Sequence, residues 1–339
     1  MTTTTAPVAT GSPRSAREAL RRAGEIQRRF PVLQVLAVII IYVVGATTLD
    51  GFFSFTALQS ILVLSALAGL ASVGQTLLII MGGFDMSVSG FIVAGAIAVT
   101  SLTTVYDVGF GVAFVVAVIV AAFMGGLAGQ ICHRLNIPPL VVTLGMGAVA
   151  VGAVQIQTGG ALAGAAPEWL SRLSSPIQDT FGIPLPPVVV AWFVVIVLMG
   201  LFLHRTVAGR HILATGANPT AAQNSLVRTR RVWTLTFAFS AVASVIVGVL
   251  LAGFAGSVDS TLGNPYLFQS VATVVVGGTV FGGPGDYTRT VIGTLFLSVL
   301  MVVLIGHGAD TADQQLLYGI VILIAVTVYG RQRRLRDLV

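Results

Sequence analysis

The chain has 339 residues, 55% of them hydrophobic and 9% charged, with 18 basic against 12 acidic side chains and a formal net charge of +6. A soluble domain carries about 25% charged residues, so this composition excludes an ordinary water-soluble protein, and the mean hydropathy of +0.96 fits a chain solvated by lipid. The lone cysteine, Cys132, excludes an intrachain disulfide, and the absence of any lysine excludes a phosphate-binding loop of the Walker A type, so the chain cannot itself be a P-loop ATPase.

Residues 1–30 open with a Thr-rich stretch and continue as an arginine-rich segment, Ser15 to Arg29, which reads as a disordered basic cytoplasmic tail. A crossing helix needs about 20 mainly apolar residues. Candidates follow near 31–49, 57–81, 90–106, 111–131, 138–157, 187–204, 232–256, 267–281, 290–306 and 314–330, and a short basic tail closes the chain at 331–339. The expected fold is therefore an all-α polytopic membrane protein of about ten transmembrane helices, with one transmembrane domain at 31–330 and both termini cytoplasmic. Segments 90–106 and 267–281 are short and are candidates for broken or re-entrant helices.

The arginines test this map. With ten crossings and the N-terminus inside, 17 of the 18 arginines fall on the inner side and only Arg172 falls outside, as the positive-inside rule asks. The net positive charge thus reads as topology and not as a nucleic-acid surface. Many of the 39 glycines lie within apolar runs, as at Gly125, Gly126 and Gly129, where small residues let membrane helices approach closely. The only sizeable external segment is 158–186.

Little in the chain suggests catalysis. His133, His204, His211 and His307 are scattered with no carboxylate at ligand spacing, so no metal site is expected. Tyr106–Asp107 and Gly283–Asp286 look like the two motifs of an intramembrane aspartyl protease. On this map, however, Asp107 sits outside and Asp286 inside, separated by a core of about 30 Å. The spans carry no Asp, Glu or Arg in their central thirds, which argues against an ion-coupled carrier. The remaining polar groups, Ser, Thr, Gln and Asn, would suit a pathway for a neutral, hydroxylated solute.

Three inward segments stand out. Gly82–Gly83 ends one helix, and Asp85 and Ser87 can cap the next; a tight helix–helix connection accounts for this alone. Gly277–Gly278 through Gly282–Gly283 occupies the analogous place later in the chain, which suggests a parallel internal repeat and, from glycine content, a pair of hinges. In the longest inward segment, 209–225, Asn218 can cap a short helix with Pro219 at its first position. With Ala221 and Ala222 it would offer a smooth docking knob for another protein, although a solvated connector is the plainer reading of the pattern alone.

At these segments the chain resembles the ribose-type permeases of ABC importers, the branched-chain amino acid/ribose/galactoside permease group. Gly82–Ser89 resembles that group's Gly-Gly-Ile-Asp-Leu-Ser-Val-Gly, and Ile137–Gly145 its Ile-Pro-Pro-Phe-Ile-Val-Thr-Leu-Gly. Gly216–Leu226 resembles Gly-x-Asn-x-x-Ala-Ala-x-x-Ser-Gly, and Gly277–Thr294 resembles the glycine-rich run that ends in Gly-Thr. Ser89 and Leu226 each stand where the group has glycine.

The resemblance implies a bacterial inner-membrane permease subunit importing a monosaccharide or similar solute by alternating access. It implies a second permease subunit, usually an identical copy, an extracytoplasmic solute-binding protein, and ABC ATPase subunits that carry the ATP and magnesium, with no cofactor on this chain. Gly216, Ala217, Asn218, Pro219, Thr220, Ala221, Ala222 and Gln223 would form the coupling helix, and Gly82, Gly83, Asp85 and Ser87 an inner-loop motif without a catalytic role. A branched-chain amino acid permease is the main alternative within the same architecture.

Overall fold

The computed structural model describes residues 31–104, 106–158 and 165–334, so the basic tail at 1–30 and residues 335–339 lie outside the described residues. The described chain is all-helical, with an isolated Thr180–Ile183 bridge as its only β pairing. Its helices are α1 (Val32–Thr48), α2 (Phe55–Met81), α3 (Val88–Thr104), α4 (Phe110–Leu135), α5 (Pro139–Thr158), α6 (Glu168–Ser174) and α7 (Pro187–Arg205). They continue as α8 (Val207–Ala217), α9 (Pro219–Asn224), α10 (Thr229–Ala255), α11 (Asn264–Val276), α12 (Tyr287–Gly306) and α13 (Thr311–Arg334).

Each of the ten apolar segments coincides with one of these helices. Six of them, α2, α4, α5, α7, α10 and α12, are long and apolar enough to cross a membrane. The candidates at 90–106 and 267–281 are short in fact: α3 has 17 residues and α11 has 13. At 1.5 Å per residue α11 spans about 20 Å, less than a hydrocarbon core of about 30 Å, and its chain continues as the non-helical stretch 277–286.

A helix apolar on every side belongs inside a bundle. α2 is that helix: 89% of its most hydropathic window is buried, against 22% for α4 and 17% for α5. The outer helices turn Phe123, Val141 and Val197 outward, each more than half exposed, as side chains facing acyl tails would be.

Glycine sets how closely the inner helices approach. A Cβ on Gly248 of α10 would overlap the carbonyl oxygen of Ile92 on α3, and one on Gly95 of α3 would overlap that of Val245. The packing expected at Gly125 and Gly129 holds, since their added Cβ atoms would fall 2.5 Å from the Phe237 oxygen and 2.7 Å from the Trp233 oxygen. Gly126 has ordinary room, its nearest neighbour being 3.6 Å away.

Several buried hydroxyls tie helices to one another. Ser72 and Thr273 lie 2.7 Å apart, and Thr76 and Thr290 2.9 Å apart, tying α2 to α11 and α12. Trp192 Nε1 donates to Tyr287 Oη at 3.0 Å, and that hydroxyl donates to the Gly69 carbonyl at 2.7 Å. In lipid there is no water to take these groups, so they satisfy one another across helices. The α6 part of the external segment also packs back: Ser174 Oγ donates to the Leu250 carbonyl at 2.8 Å, and Leu170 is buried against α10.

Replacing Gly248 with valine is expected to destabilise the fold by about 1–3 kcal/mol or more through overpacking. Gly152 in α5 has nothing within 4 Å of an added Cβ, so Gly152→Ala should be neutral or stabilising by up to about 1 kcal/mol. Thermal unfolding in detergent compares the two, and equal tolerance of both would contradict the packing account.

Candidate functional site

Thr206 ends α7 and caps α8, accepting from the Gly209 amide at 3.0 Å. Asn218 then caps α9, its Oδ1 accepting from the Ala221 amide at 2.9 Å, with Pro219 at the first helical position. The exposed residues are Ala217 through Ala221 and Gln223 through Leu226, while Ala222 turns inward. Gln223 is held by Nε2 donating to Thr229 Oγ1 at 3.0 Å. The result is a short capped knob with a small-residue surface.

The knob is seated on the central helix. A Cβ on Gly216 would overlap the Ile80 carbonyl and lie 3.2 Å from the Met81 Cα, so α8 meets the end of α2 backbone to backbone. Sequence reasoning missed α8 as a helix, although Thr206 before Val207 and the apolar pair Ile212–Leu213 were signals for one. Leu226 has φ +62° and is 90% exposed. It holds the left-handed conformation that glycine adopts freely, at a cost of about 1–2 kcal/mol for an L-residue.

The two glycine segments touch. Gly82 takes the left-handed cap of α2 at φ +84°, and the Gly282 amide donates to the Ile79 carbonyl at 2.8 Å. Phe84 and Phe281 stack with centroids 4.7 Å apart. Gly278 and Gly282 have positive φ, and an added Cβ at Gly277 would overlap the Arg289 carbonyl. Turn geometry and close packing therefore account for these three glycines. Gly283 has only 3.1 Å to the Val280 side chain. Gly83 has 3.5 Å to Trp233 and no positive φ, so neither reason explains its glycine.

The first of these segments, expected as an inward helix–helix connection, is packed into the bundle. Gly83, Asp85 and Ser87 are buried, Asp85 to 1% exposure. Asp85 Oδ1 accepts from the Ser87 amide at 2.9 Å and from the Ser87 hydroxyl, and Oδ2 accepts from Ser240 Oγ at 2.7 Å. Ser240 lies about 17 Å along α10 from its start at Thr229, which places the carboxylate within the bundle. The Asp85 amide donates to Gln75 Oε1 at 3.2 Å, and the Met86 amide to Thr143 Oγ1 at 2.9 Å. The chain thus turns back beside α2 after Met81, stapled to α2, α5 and α10, before α3 begins.

Asp286 caps α12, accepting from Thr288 Oγ1 at 2.8 Å, and lies 3.5 Å from His204 Nε2. No hydrogen bond or ion pair joins it to Asp107 among the described residues. No group of three or more metal-ligating side chains occurs among them either.

Asp85→Ala strands two hydroxyls and an amide, and is expected to cost at least about 1–3 kcal/mol. Asp85→Asn keeps an acceptor oxygen and should cost less. Thermal unfolding ranks the two variants, and equal stability of both with the parent would remove the carboxylate's structural role.

Residues 57–326 match the family described as the branched-chain amino acid transport system / permease component. The chain is 30% identical over 306 residues to the probable ABC transporter permease protein YphD of Escherichia coli (strain K12), covering 89% of this chain and 90% of that protein. It is 28% identical to the fructose import permease protein FrcC of Rhizobium meliloti, over 82% of this chain and 78% of that one. It is 26% identical to the ribose import permease protein RbsC of Escherichia coli (strain K12), over 88% and 93%. No solved structure matches the chain. The match over most of its length shows that the chain belongs to the branched-chain amino acid transport system permease family.

Proposed function

We propose that this multi-pass inner-membrane protein is the permease subunit of an ATP-driven importer whose cargo is a monosaccharide or similar hydroxylated solute. The names of the fructose and ribose relatives support the cargo class. A branched-chain amino acid is the second reading, favoured by the family's description. The observation that carries the transporter reading is the exposed, capped Pro219–Asn224 helix backed through Gly216 by the end of α2.

Ten crossings with both termini in the cytoplasm put the Pro219 knob on the inner side, within reach of an ABC ATPase that holds ATP and magnesium. A second permease subunit, an identical copy in the simplest case, would complete the pathway, and an extracytoplasmic binding protein would deliver the solute. ATP binding draws the ATPase halves together and carries the knob with them. Because α8 is seated on α2, that displacement reaches the central helix and the paired glycine segments. The cycle turns only because the inward and outward states differ in affinity for the ATP-bound partner.

Uptake of a labelled sugar into vesicles containing the permease, its ATPase and binding protein should require ATP; uptake driven by an ion gradient alone would overturn the reading. Ala221 is exposed, so Ala221→Trp should leave the permease folded yet abolish ATPase co-purification and uptake. Unchanged co-purification would separate the knob from docking. In the same assay, undiminished uptake by Gly83→Ala would remove a hinge role for Gly83.

Orientation is tested with a thiol probe, because the chain's one native cysteine, Cys132, is buried. Ser225→Cys should react with a membrane-impermeant maleimide only when the cytoplasmic face is opened. Labelling of intact cells would overturn the ten-crossing map.

A further inference from the structure

An apolar groove of about 1180 Å³ lies between α7 and α10, with α8 along its side. It is larger than the roughly 300–1,000 Å³ usual for a small-molecule pocket. Leu198 and Leu201 of α7 and Leu235 and Phe239 of α10 line it, and all four are exposed, Leu235 to 67%. Side chains of this kind at a bundle surface meet acyl chains.

One end of the groove is different. Arg205, the last residue of α7, Arg228, which precedes α10, and Arg231, in the first turn of α10, all line it. All three are exposed, and none forms an ion pair among the described residues. Two other arginines are answered: Arg172 pairs with Glu168, and Arg230 donates to Gln130. α10 also starts here without a side-chain cap, so the positive end of its dipole adds to the field. Three cationic side chains lining one apolar trough, with no acid among the described residues paired to any of them, make it a favourable place for an anion.

We propose that the groove holds an anionic phospholipid, its phosphate clamped by Arg205, Arg228 and Arg231 and an acyl chain lying along α7 and α10. The planar guanidinium fork matches phosphate oxygens in paired hydrogen bonds, and basic pockets between membrane helices are known hosts for anionic headgroups. A soluble phosphate compound would satisfy the arginines and leave the trough bare. A second copy of the chain, oriented alike in the membrane, would bring arginines against arginines.

Leu226 also borders the groove, so a bound lipid would brace the connection between α9 and α10. The proposal requires that the chain sit in a membrane, and it does not depend on what docks at Pro219.

The full-length permease is purified in mild detergent, its retained lipids are read by native mass spectrometry, and its melting temperature is followed on adding phosphatidylglycerol or phosphatidylcholine. One phosphatidylglycerol per chain and a rise of several degrees with that lipid alone are expected. Arg205→Gln/Arg228→Gln/Arg231→Gln should lose both effects, whereas Arg134→Gln, an exposed residue in the last turn of α4 that does not line the groove, should keep them.

Leu235→Trp fills the trough with every charge in place and should also lose the retained lipid, which keeps the test decisive if the triple variant folds poorly. Equal response to the two lipids, or retention of phosphatidylglycerol by Leu235→Trp, would overturn the proposal. So would disulfide-linked pairs formed by Leu201→Cys in membranes, since these would place a second copy of the chain in the groove.

Discussion

A stretch of chain that leaves the helix inside an apolar bundle has no water to answer its amides and carbonyls, so protein must answer them. Residues 82–87 are such a stretch, and their solution organises the molecule. Asp85 takes the Ser87 amide and the hydroxyls of Ser87 and Ser240, Gln75 takes the Asp85 amide, and Thr143 takes the Met86 amide. Because those partners belong to α2, α5 and α10, the position of three helices is tied to one turn. The second glycine segment joins through the Gly282 amide and the Phe84–Phe281 stack.

This arrangement explains why a carboxylate is tolerated in the interior. Burying a charge is costly unless it is hydrogen-bonded, and each oxygen of Asp85 has at least one donor. The ion-carrier argument from the sequence rested on spans free of acids, and Asp85 escaped it by lying between two helices. Its donors are drawn from this chain's own Ser87 and Ser240, which gives it a structural occupation in the described fold.

Much of the fold was legible because apolar runs of about 20 residues, broken by glycine and proline, announce membrane helices with little ambiguity. Asn218–Pro219 announced α9 for a similarly local reason, as did Gly125 and Gly129 for close packing. The depth of Asp85 was not legible: Gly-Gly-Phe-Asp-Met-Ser reads the same beside water as inside a bundle. What decides between them is Ser240 and Thr143, far along the chain. The pairing of Ser72 with Thr273 and Thr76 with Thr290, which ties helices together, was hidden for the same reason. The groove at Arg205, Arg228 and Arg231 likewise exists only once α7 and α10 are neighbours.

The seat of Gly216 on Ile80 has a consequence for timing. Where two backbones touch with no side chain between them, there is no compliant layer to absorb a push, so α8 and the end of α2 shift as one piece. α2 is also the most enclosed of the long helices, and it cannot slide without its neighbours giving way together. Any switch routed through this joint is therefore a collective rearrangement, belonging to the microsecond-to-millisecond range of packed-helix motions and not to the nanoseconds of a free loop.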